Sequence, residues 1–275
     1  MKTQSYSSIY SFRKKSEKYW QKKESLNSLF WEFTKNHQSQ PGPKWMGNIF
    51  QNHTICLSAL ISHTSYLFLS SGHQRASKHL AQHLARKKVK LGGIFGPTLE
   101  VESFLKEWKK LNPKINISFL KSFYIFESFE KDYFPKDQTS LIVATDKQWP
   151  RVALWAKAFA AESIPPLDPY KSIQLAKDMQ KKGHLYLFKD RNGQTKGMAG
   201  FGRHTPNSSV LNMVYVNPDD RGTGIGRKLI RNAIDLGRKH GYRRCLIFSD
   251  YLKSDNLYRT IGLKEKGMVV EKFIS

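Results

Sequence analysis

The clearest chemical feature of the chain is a glycine-rich turn between a strand-like run and a helix-like run. Residues 210–216 are apolar except for Asn212, a Pro-Asp-Asp turn follows, and a helical pattern begins at the third glycine. Glycines at such a junction let backbone N–H groups converge on an anion at the helix N-terminus. A phosphate group is the anion that this geometry favours. The predicted phosphate-binding residues are Arg221, Gly222, Thr223, Gly224, Ile225, Gly226 and Arg227.

The spacing of these glycines excludes two common phosphate-binding loops. A dinucleotide-binding fingerprint reads G-x-G-x-x-G, but the sixth position counted from Gly222 is Arg227. A P-loop reads G-x-x-x-x-G-K-S/T, and it fails at the same residue. A tight glycine turn that binds no ligand is the alternative interpretation.

The order of residues around the turn resembles motif A of the GNAT superfamily of N-acetyltransferases. The similarity rests on R-G-T-G-I-G placed after a strand that ends V-Y-V-N-P. The resemblance implies that the loop holds the pyrophosphate of acetyl-CoA, which would be the co-substrate. It also implies that the strand before the loop offers backbone groups to the pantetheine arm and to the thioester oxygen. Those strand residues are Met213, Val214, Tyr215 and Val216.

A second segment, residues 250–263, is similar to the N-x-x-Y-x-x-x-G-F/Y segment of the same superfamily through Asn256 and Tyr258, which here lie two residues apart. The resemblance implies that Tyr258 protonates the departing coenzyme A thiolate and that Asn256 holds the pantetheine arm. A packed helix aromatic is the alternative role for Tyr258. Leu263 stands where the family usually has an aromatic residue, which leaves the coenzyme assignment intact and weakens any inference about the acceptor.

The Asn-x-Tyr spacing also resembles a two-domain subgroup with a degenerate acetyltransferase-like N-terminal half. The segments G-G-I-F-G-P and F-L-K-E-W of the N-terminal half are similar to that subgroup, more weakly. The glycine loop has no counterpart in the sequence of residues 1–138.

A general base is harder to predict than the coenzyme site. Glu162 follows a predicted helix of the C-terminal half and is the candidate, with an exposed glutamate at a helix end as the equal alternative. His184 and His204 lie at predicted strand ends and are further candidates. No group of residues has metal-ligand spacing, because the pair of histidines in H-x-x-x-H at 79–83 lacks the glutamate of H-E-x-x-H and a third ligand. We expect no metal.

The composition places further bounds on the chain. Its 275 residues suit two domains, and the net charge is +24. A nucleic-acid or anionic-surface role is an alternative that only this charge suggests, and a solvated basic surface is favoured over it. Two cysteines imply no disulfide framework and favour the cytoplasm. We expect no membrane span and no secretory leader.

Hydrophobic patterns predict the elements that would position these residues. The C-terminal half reads as helix, helix, three antiparallel strands, helix, strand, short helix and strand, which is the GNAT order. The predicted fold class is α/β (α+β), with a mixed, mostly antiparallel sheet flanked by helices, in a tandem of two such halves. The predicted divisions are a peripheral basic segment at 1–23, a degenerate domain at 24–138 and an acetyltransferase domain at 139–275.

The sequence therefore predicts an enzyme that moves an acetyl group from acetyl-CoA to a primary amine, on a small molecule or a protein, by direct transfer. A non-catalytic acyl-CoA-binding module and a basic nucleic-acid-associated protein are the alternatives. Neither the acceptor nor the oligomeric state can be predicted.

Overall fold

The computed structural model describes residues 1–35, 41–129, 140–253 and 255–275. The described chain divides into two compact units. The first consists of Met1–Phe123 together with Gly267–Ser275, and the second of Tyr124–Lys266. Among the described helices, none combines the length and the apolar composition that crossing a membrane requires.

The first repeat of the chain has the element order β-α-α-β-β-β-α-β-α-β. Its elements are β1 (Lys2–Tyr6), α1 (Ile9–Gln21), α2 (Glu24–Phe33), β2 (Trp45–Gln51), β3 (Thr54–Ile61), β4 (Tyr66–Leu69), α3 (Gln74–Arg86), β5 (Gly93–Pro97), α4 (Thr98–Leu111) and β6 (Ile117–Ser128). Helices α3 and α4 cover an apolar core that includes Leu80, Leu84, Ile94 and Phe104, all with no exposed surface.

The second repeat has the same order of strands and α-helices, with short 3₁₀ turns between some of them. Its elements are β7 (Ser140–Val143), α5 (Trp149–Glu162), α6 (Pro169–Lys181), β8 (Leu185–Lys189), β9 (Thr195–His204), β10 (Ser208–Val216), α7 (Ile225–Lys239), β11 (Arg244–Ser249), α8 (Leu257–Thr260) and β12 (Lys264–Ile274). The predicted α/β fold class, with a mixed sheet flanked by helices and a repeated order of elements, is confirmed.

Each unit is completed by the last strand of the other repeat. In the first unit the strand order is β1-β2-β3-β4-β5-β12, and β12 pairs antiparallel with β5 from Val269 opposite Pro97 to Phe273 opposite Gly93. In the second unit the order is β6-β11-β10-β9-β8-β7, and Tyr124–Ser128 of β6 pair antiparallel with β11. The division of the chain therefore differs from the predicted one. The predicted boundary at 138 itself lies outside the described residues.

The expectation that residues 1–23 lie outside the core is wrong. Strand β1 pairs with β2 from Lys2 opposite Phe50 to Tyr6 opposite Met46. On α1, Phe12, Ser16 and Trp20 are buried at a spacing of four residues, and both aromatic side chains have no exposed surface. Their rings lie 5.3 Å apart in an edge-to-face arrangement. The basic residues that dominate this segment occupy the other faces of a helix that packs by one apolar stripe.

In the second unit the core fixes the strand and helix on either side of the glycine loop. Leu229, Ile230, Ala233 and Ile234 form the buried face of α7, at the spacing that the sequence predicted. They pack against Leu211 of β10 and Ile247 of β11, which pair as parallel strands on one side of a crossover helix. This packing holds the end of β10 and the start of α7 in a fixed relation.

Candidate functional site

A bulge interrupts strand β10 where the predicted pantetheine-binding residues begin. In the ladder with β9, Asn212 pairs with Gly200 and Tyr215 with Met198, so one residue is extra on β10. Met213 takes up this extra residue with φ +51°, a conformation that costs a methionine strain. Asn212 Oδ1 accepts a hydrogen bond of 2.7 Å from the Met213 N–H, which stabilises the bulge.

Strands β10 and β11 stop pairing at the same place. Their parallel ladder runs from Ser208 opposite Arg244 to Leu211 opposite Ile247, although β10 continues to Val216 and β11 to Ser249. Beyond Leu211, the edge of β10 that faces β11 therefore has no strand partner among the residues that the structure describes. Unpaired backbone groups on a strand edge can bond an extended ligand. Val214 and Tyr215 lie on this edge, between Met213 and Val216.

The glycine loop follows the open end of β10 directly. Gly222 and Gly224 have φ +76° and +82°, and a Cβ at either would meet no atom within 4 Å. Gly224 precedes α7 without a side-chain cap, and the first turn of α7 contains no acid. The first N–H groups of this helix are therefore left for an anion. Thr223 Oγ1 donates to the Asp220 carbonyl at 2.6 Å and shapes the turn.

A lysine neutralises the carboxylate that lies nearest in sequence to this loop. Asp220 accepts hydrogen bonds from Lys196 Nζ at 2.8 Å and from Asn217 Nδ2 at 3.0 Å. The hydrogen bond from Lys196 lowers the pKa of Asp220 below its usual value, and Asn217 adds to the effect. An unpaired Asp220 carboxylate beside the loop would repel a phosphate group. The positive charge of Lys196 offsets this negative charge.

Helix α8 reaches the start of α7, next to the end of β10. A Cβ on Gly226 would lie 3.2 Å from Leu257 Cδ2 and 3.7 Å from Val216 Cγ2, so glycine permits this approach. Leu257 is the residue before Tyr258. The structure thus brings together the glycine loop, the bulged strand and the helix that carries Tyr258, which the sequence predicted as parts of one site.

Asn256 is buried and caps α8. Its Oδ1 accepts from the Tyr258 N–H at 2.9 Å, and its Nδ2 donates to Ser249 Oγ at 2.8 Å and to the Tyr251 carbonyl at 2.6 Å. Both amide hydrogens are thereby used within the protein. The predicted contact of Asn256 with pantetheine stays a prediction, and the geometry gives the residue a positioning role for Tyr258.

Tyr258 lies half-buried against Phe126, with ring centroids 5.6 Å apart. In the part of the chain that the structure describes, no residue pairs with its hydroxyl group. Burial raises the pKa of Tyr258 well above its ordinary value of 10, and the charges of Asp250 and Cys245 raise it further. A hydroxyl group in this environment stays protonated at neutral pH, as a general acid must.

Glu162 at the end of α5 pairs with the first residue of the loop. The Arg221 guanidinium donates to both carboxylate oxygens of Glu162, at 2.9 and 3.0 Å, while its Nε donates to the Val216 carbonyl at 3.0 Å. The Tyr215 hydroxyl lies 3.5 Å from Glu162 Oε1. Burial raises the pKa of Tyr215, Glu162 raises it further, and Arg221 opposes the change. Three predicted site residues therefore contact one another.

The two histidines named as further base candidates lie near the start of β10, at the opposite end of this strand from Tyr215. His204 pairs with Ser209 at the start of β10, and its ring centroid is 5.7 Å from that of His184. Six residues of extended chain separate Ser209 from Tyr215, which is roughly 20 Å. The register thus separates both histidines from the open end of β10.

The matching junction of the first repeat, between β4 and α3, is occupied by the protein itself. The Gly72 N–H donates to Glu100 Oε1 at 2.7 Å, and the Tyr19 hydroxyl lies 2.6 Å from the Ser71 carbonyl and 2.8 Å from the Cys56 carbonyl. A Cβ on Gly72 would approach the Cys56 carbonyl oxygen to 2.3 Å. Burial raises the pKa of Glu100, which the Gly72 N–H opposes. A carboxylate thus takes the position in which an anion would lie.

Residues 145–263 match the model of the Acetyltransferase (GNAT) family. Residues 145–263 therefore form a GNAT domain. The matched range includes the glycine loop, the bulged strand and Tyr258.

Two solved structures share the fold. An acetyltransferase of the GNAT family from Colwellia psychrerythraea aligns over 100% of this chain and 99% of its own, with a TM-score of 0.53 and 14% identity. A GCN5-related N-acetyltransferase from Sphaerobacter thermophilus aligns over 90% of this chain and 85% of its own, with a TM-score of 0.57 and 12% identity.

A curated relative is similar over a shorter segment. The L-amino acid N-acyltransferase MnaT of Escherichia coli is 40% identical over 67 residues, which are 22% of this chain and 37% of that relative. The matched segment thus spans little more than a third of that protein. The GNAT domain and this similarity support acyltransferase activity in general.

One carboxylate near these elements was not predicted from the sequence. Asp250 directly follows β11, and its Oδ2 accepts a hydrogen bond of 2.9 Å from the Ile164 N–H in the connection between α5 and α6. The sequence does contain a pattern that points to Asp250, because an acidic residue directly after a buried parallel strand lies at the edge where ligands of α/β sheets bind.

Proposed function

We propose that the second unit catalyses direct transfer of the acetyl group of acetyl-CoA to a primary amine. The observation that carries this proposal is the end of β10. There a bulge and a diverging neighbour strand leave one edge of β10 without a strand partner among the described residues, directly before an uncapped glycine loop. A thin, extended ligand with a diphosphate at one end suits this combination, and acetyl-CoA has that shape.

The glycine loop would hold the pyrophosphate. Gly222 and Gly224 leave open space above the turn, and Arg221, Arg227 and Lys228 supply positive charge around it. The backbone of Met213–Val216 would accompany the pantetheine arm towards the carbonyl of the thioester. An N–H directed at that carbonyl oxygen would stabilise the negative charge that develops there during attack.

Tyr258 would supply the proton that the leaving group needs. The amine nitrogen forms a bond to the thioester carbon, the carbon–sulfur bond then breaks, and the sulfur takes the hydroxyl proton of Tyr258. Because burial raises the pKa of Tyr258, its proton is present across the neutral range. Asn256 would orient α8 through its cap, which fixes where that hydroxyl lies.

The relative from Escherichia coli supports an amine acceptor, since its name describes N-acylation of L-amino acids. Glu162 ends α5 and Asp250 accepts a hydrogen bond from the connection after that helix, and either carboxylate would serve the acceptor. Both cysteines are buried free thiols, which supports our proposal of a reducing compartment, the cytoplasm.

A screen of primary amines tests this function. The chain is incubated with acetyl-CoA and a panel of alkyl amines, polyamines, amino acids and lysine peptides, and free thiol is measured. Amine-dependent thiol release, matched by the acetylated product in mass spectrometry, is the expected result. Saturable acetyl-CoA binding without thiol release for any amine would instead support the non-catalytic binding module.

A further inference from the structure

Asp250 lies where the two strands of the proposed site separate. The parallel ladder with β10 ends at Ile247, and β11 continues for two more residues to Ser249. Asp250 follows Ser249 directly. From the other side, the connection after α5 reaches over this opening, because Ile164 bonds Asp250 and Glu162 lies near Tyr215 of β10. The Asp250 carboxylate therefore lies at the same opening as the unpaired edge of β10.

The position of Asp250 is also fixed relative to Tyr258. Asn256 Nδ2 bonds Ser249 Oγ and the Tyr251 carbonyl, the residues on either side of Asp250, while its Oδ1 caps the helix of Tyr258. One buried amide thus connects the backbone of the carboxylate to the backbone of the proposed acid.

The two carboxylates of this region differ in their partners. Both oxygens of Glu162 accept from the Arg221 guanidinium, so its charge is compensated. Asp250 accepts one backbone N–H, and within the described residues no lysine, arginine or histidine pairs with it. A cationic ligand would satisfy it.

We propose that Asp250 binds the acceptor as an ammonium ion and takes its first proton, so that the acceptor is a cationic primary amine. This inference rests on the function proposed above and assigns the residue that recognises the acceptor. Glu162, in turn, holds Arg221 at the start of the glycine loop and acts on the coenzyme side.

The proton balance of the reaction follows from these roles. The ammonium gives one proton to Asp250, which passes it to solvent, and the neutral amine attacks the thioester carbon. After attack, the nitrogen loses a second proton, which replaces the one that Tyr258 gives to the sulfur. Each turnover consumes one ammonium ion and one thioester and releases one amide, one thiol and one proton.

The test compares Asp250→Asn, Asp250→Glu, Glu162→Gln and a control, Asp235→Asn. Asparagine keeps an oxygen that can accept the Ile164 N–H, so the connection after α5 retains its bond. Asp235 lies on α7, paired with Arg238 at 3.1 Å, and its substitution changes the net charge equally. Each variant is assayed with the best cationic amine of the screen and with hydroxylamine, a nucleophile that is uncharged at neutral pH.

For Asp250→Asn we expect kcat/KM for the cationic amine to fall by about 10²-fold or more, as for loss of a general base. Its turnover of hydroxylamine and its affinity for acetyl-CoA should stay at the wild-type level. Asp250→Glu should restore part of the amine activity, and Asp235→Asn should change neither substrate. Glu162→Gln should weaken acetyl-CoA binding more than it affects amine selectivity.

Three results would overturn the inference. In the first, Asp250→Asn keeps wild-type activity with the cationic amine. In the second, Asp250→Asn loses activity with the cationic amine and with hydroxylamine equally. In the third, Glu162→Gln is the variant that loses activity with the cationic amine, while Asp250→Asn keeps it. A wild-type chain that binds acetyl-CoA yet acetylates no amine also contradicts it. A chain that binds no acyl-CoA at all contradicts the proposed function as a whole, which separates the two failures.

Discussion

Replacing Gly224 with aspartate should strongly weaken coenzyme binding in a chain that still folds. Gly224 has φ +82°, and a Cβ there would meet no atom within 4 Å. An aspartate in this conformation costs about 1 kcal/mol of backbone strain. Its charge at the N-terminus of α7 returns roughly 0.3–1 kcal/mol through the helix dipole. The net change in the free energy of unfolding should therefore be small.

The effect on acetyl-CoA should be much larger than the effect on stability. Two unit charges about 4 Å apart repel by about 1 kcal/mol in bulk water and about 4 kcal/mol at an effective permittivity of 20. The loop is exposed to solvent, so an intermediate value of about 2–3 kcal/mol is expected against a bound pyrophosphate. This value corresponds to a loss of affinity of roughly 30- to 150-fold.

Gly241→Asp is the matched control for this experiment. Gly241 follows the C-terminal end of the same helix with φ +88° and open space around a Cβ. The backbone strain and the change in net charge are the same, but here the helix dipole opposes the new carboxylate. Gly241→Asp should therefore be the less stable variant and still bind acetyl-CoA normally.

Thermal unfolding and calorimetric titration of both variants at one salt concentration measure these quantities. Wild-type affinity in folded Gly224→Asp would refute the phosphate-loop assignment. So would a loss of affinity in both variants that simply follows their melting temperatures.

Four further predictions concern the other parts of the site and the fold. Tyr258→Phe should lower kcat by at least about 30-fold and change the free energy of acetyl-CoA binding by under about 1 kcal/mol; turnover at the wild-type rate would demote Tyr258 to a packing residue. Because its pKa is raised, Tyr258 keeps its proton as pH rises, so kcat should show no alkaline loss below about pH 10; a pH profile with a midpoint near 8 would contradict this. Calorimetry should give one acetyl-CoA per chain, because Glu100 fills the matching junction of the first repeat; a stoichiometry of two would disprove that reading. Deleting residues 1–23 removes Phe12 and Trp20, each worth about 3–5 kcal/mol, so circular dichroism should show an unfolded chain; cooperative melting near the wild-type temperature would speak against it.

Local patterns predicted much of the fold. Helix α6 begins at Pro169 behind the capping Asp168 and ends at Lys181, as its proline and its periodicity indicate. Apolar runs and flanking turn residues mark β3 and β4 in the same way, because both signals act within a few positions. The glycine loop was readable for the same reason, since strand, glycines and helix follow one another directly.

Contacts between distant segments could not be predicted. The exchange of the strands β6 and β12 depends on pairings such as Val269 with Pro97, which no local pattern encodes. The pairing of Glu162 with Arg221 joins residues 59 positions apart, so the sequence offered both as site residues without relating them. Residues 1–23 were misjudged because their many lysines and arginines obscured a buried stripe of only three side chains.

The most direct test of the central claim is a single-turnover experiment with the intact chain. Equimolar chain and acetyl-CoA are mixed with the best amine of the screen and quenched at intervals. Thiol, acetylated amine and the mass of the chain are then measured. Direct transfer predicts that thiol and acetylated amine appear together, one for one, while the mass of the chain never changes. Thiol release without acetylated amine, or bound acetyl-CoA that persists in the presence of every amine, would contradict it.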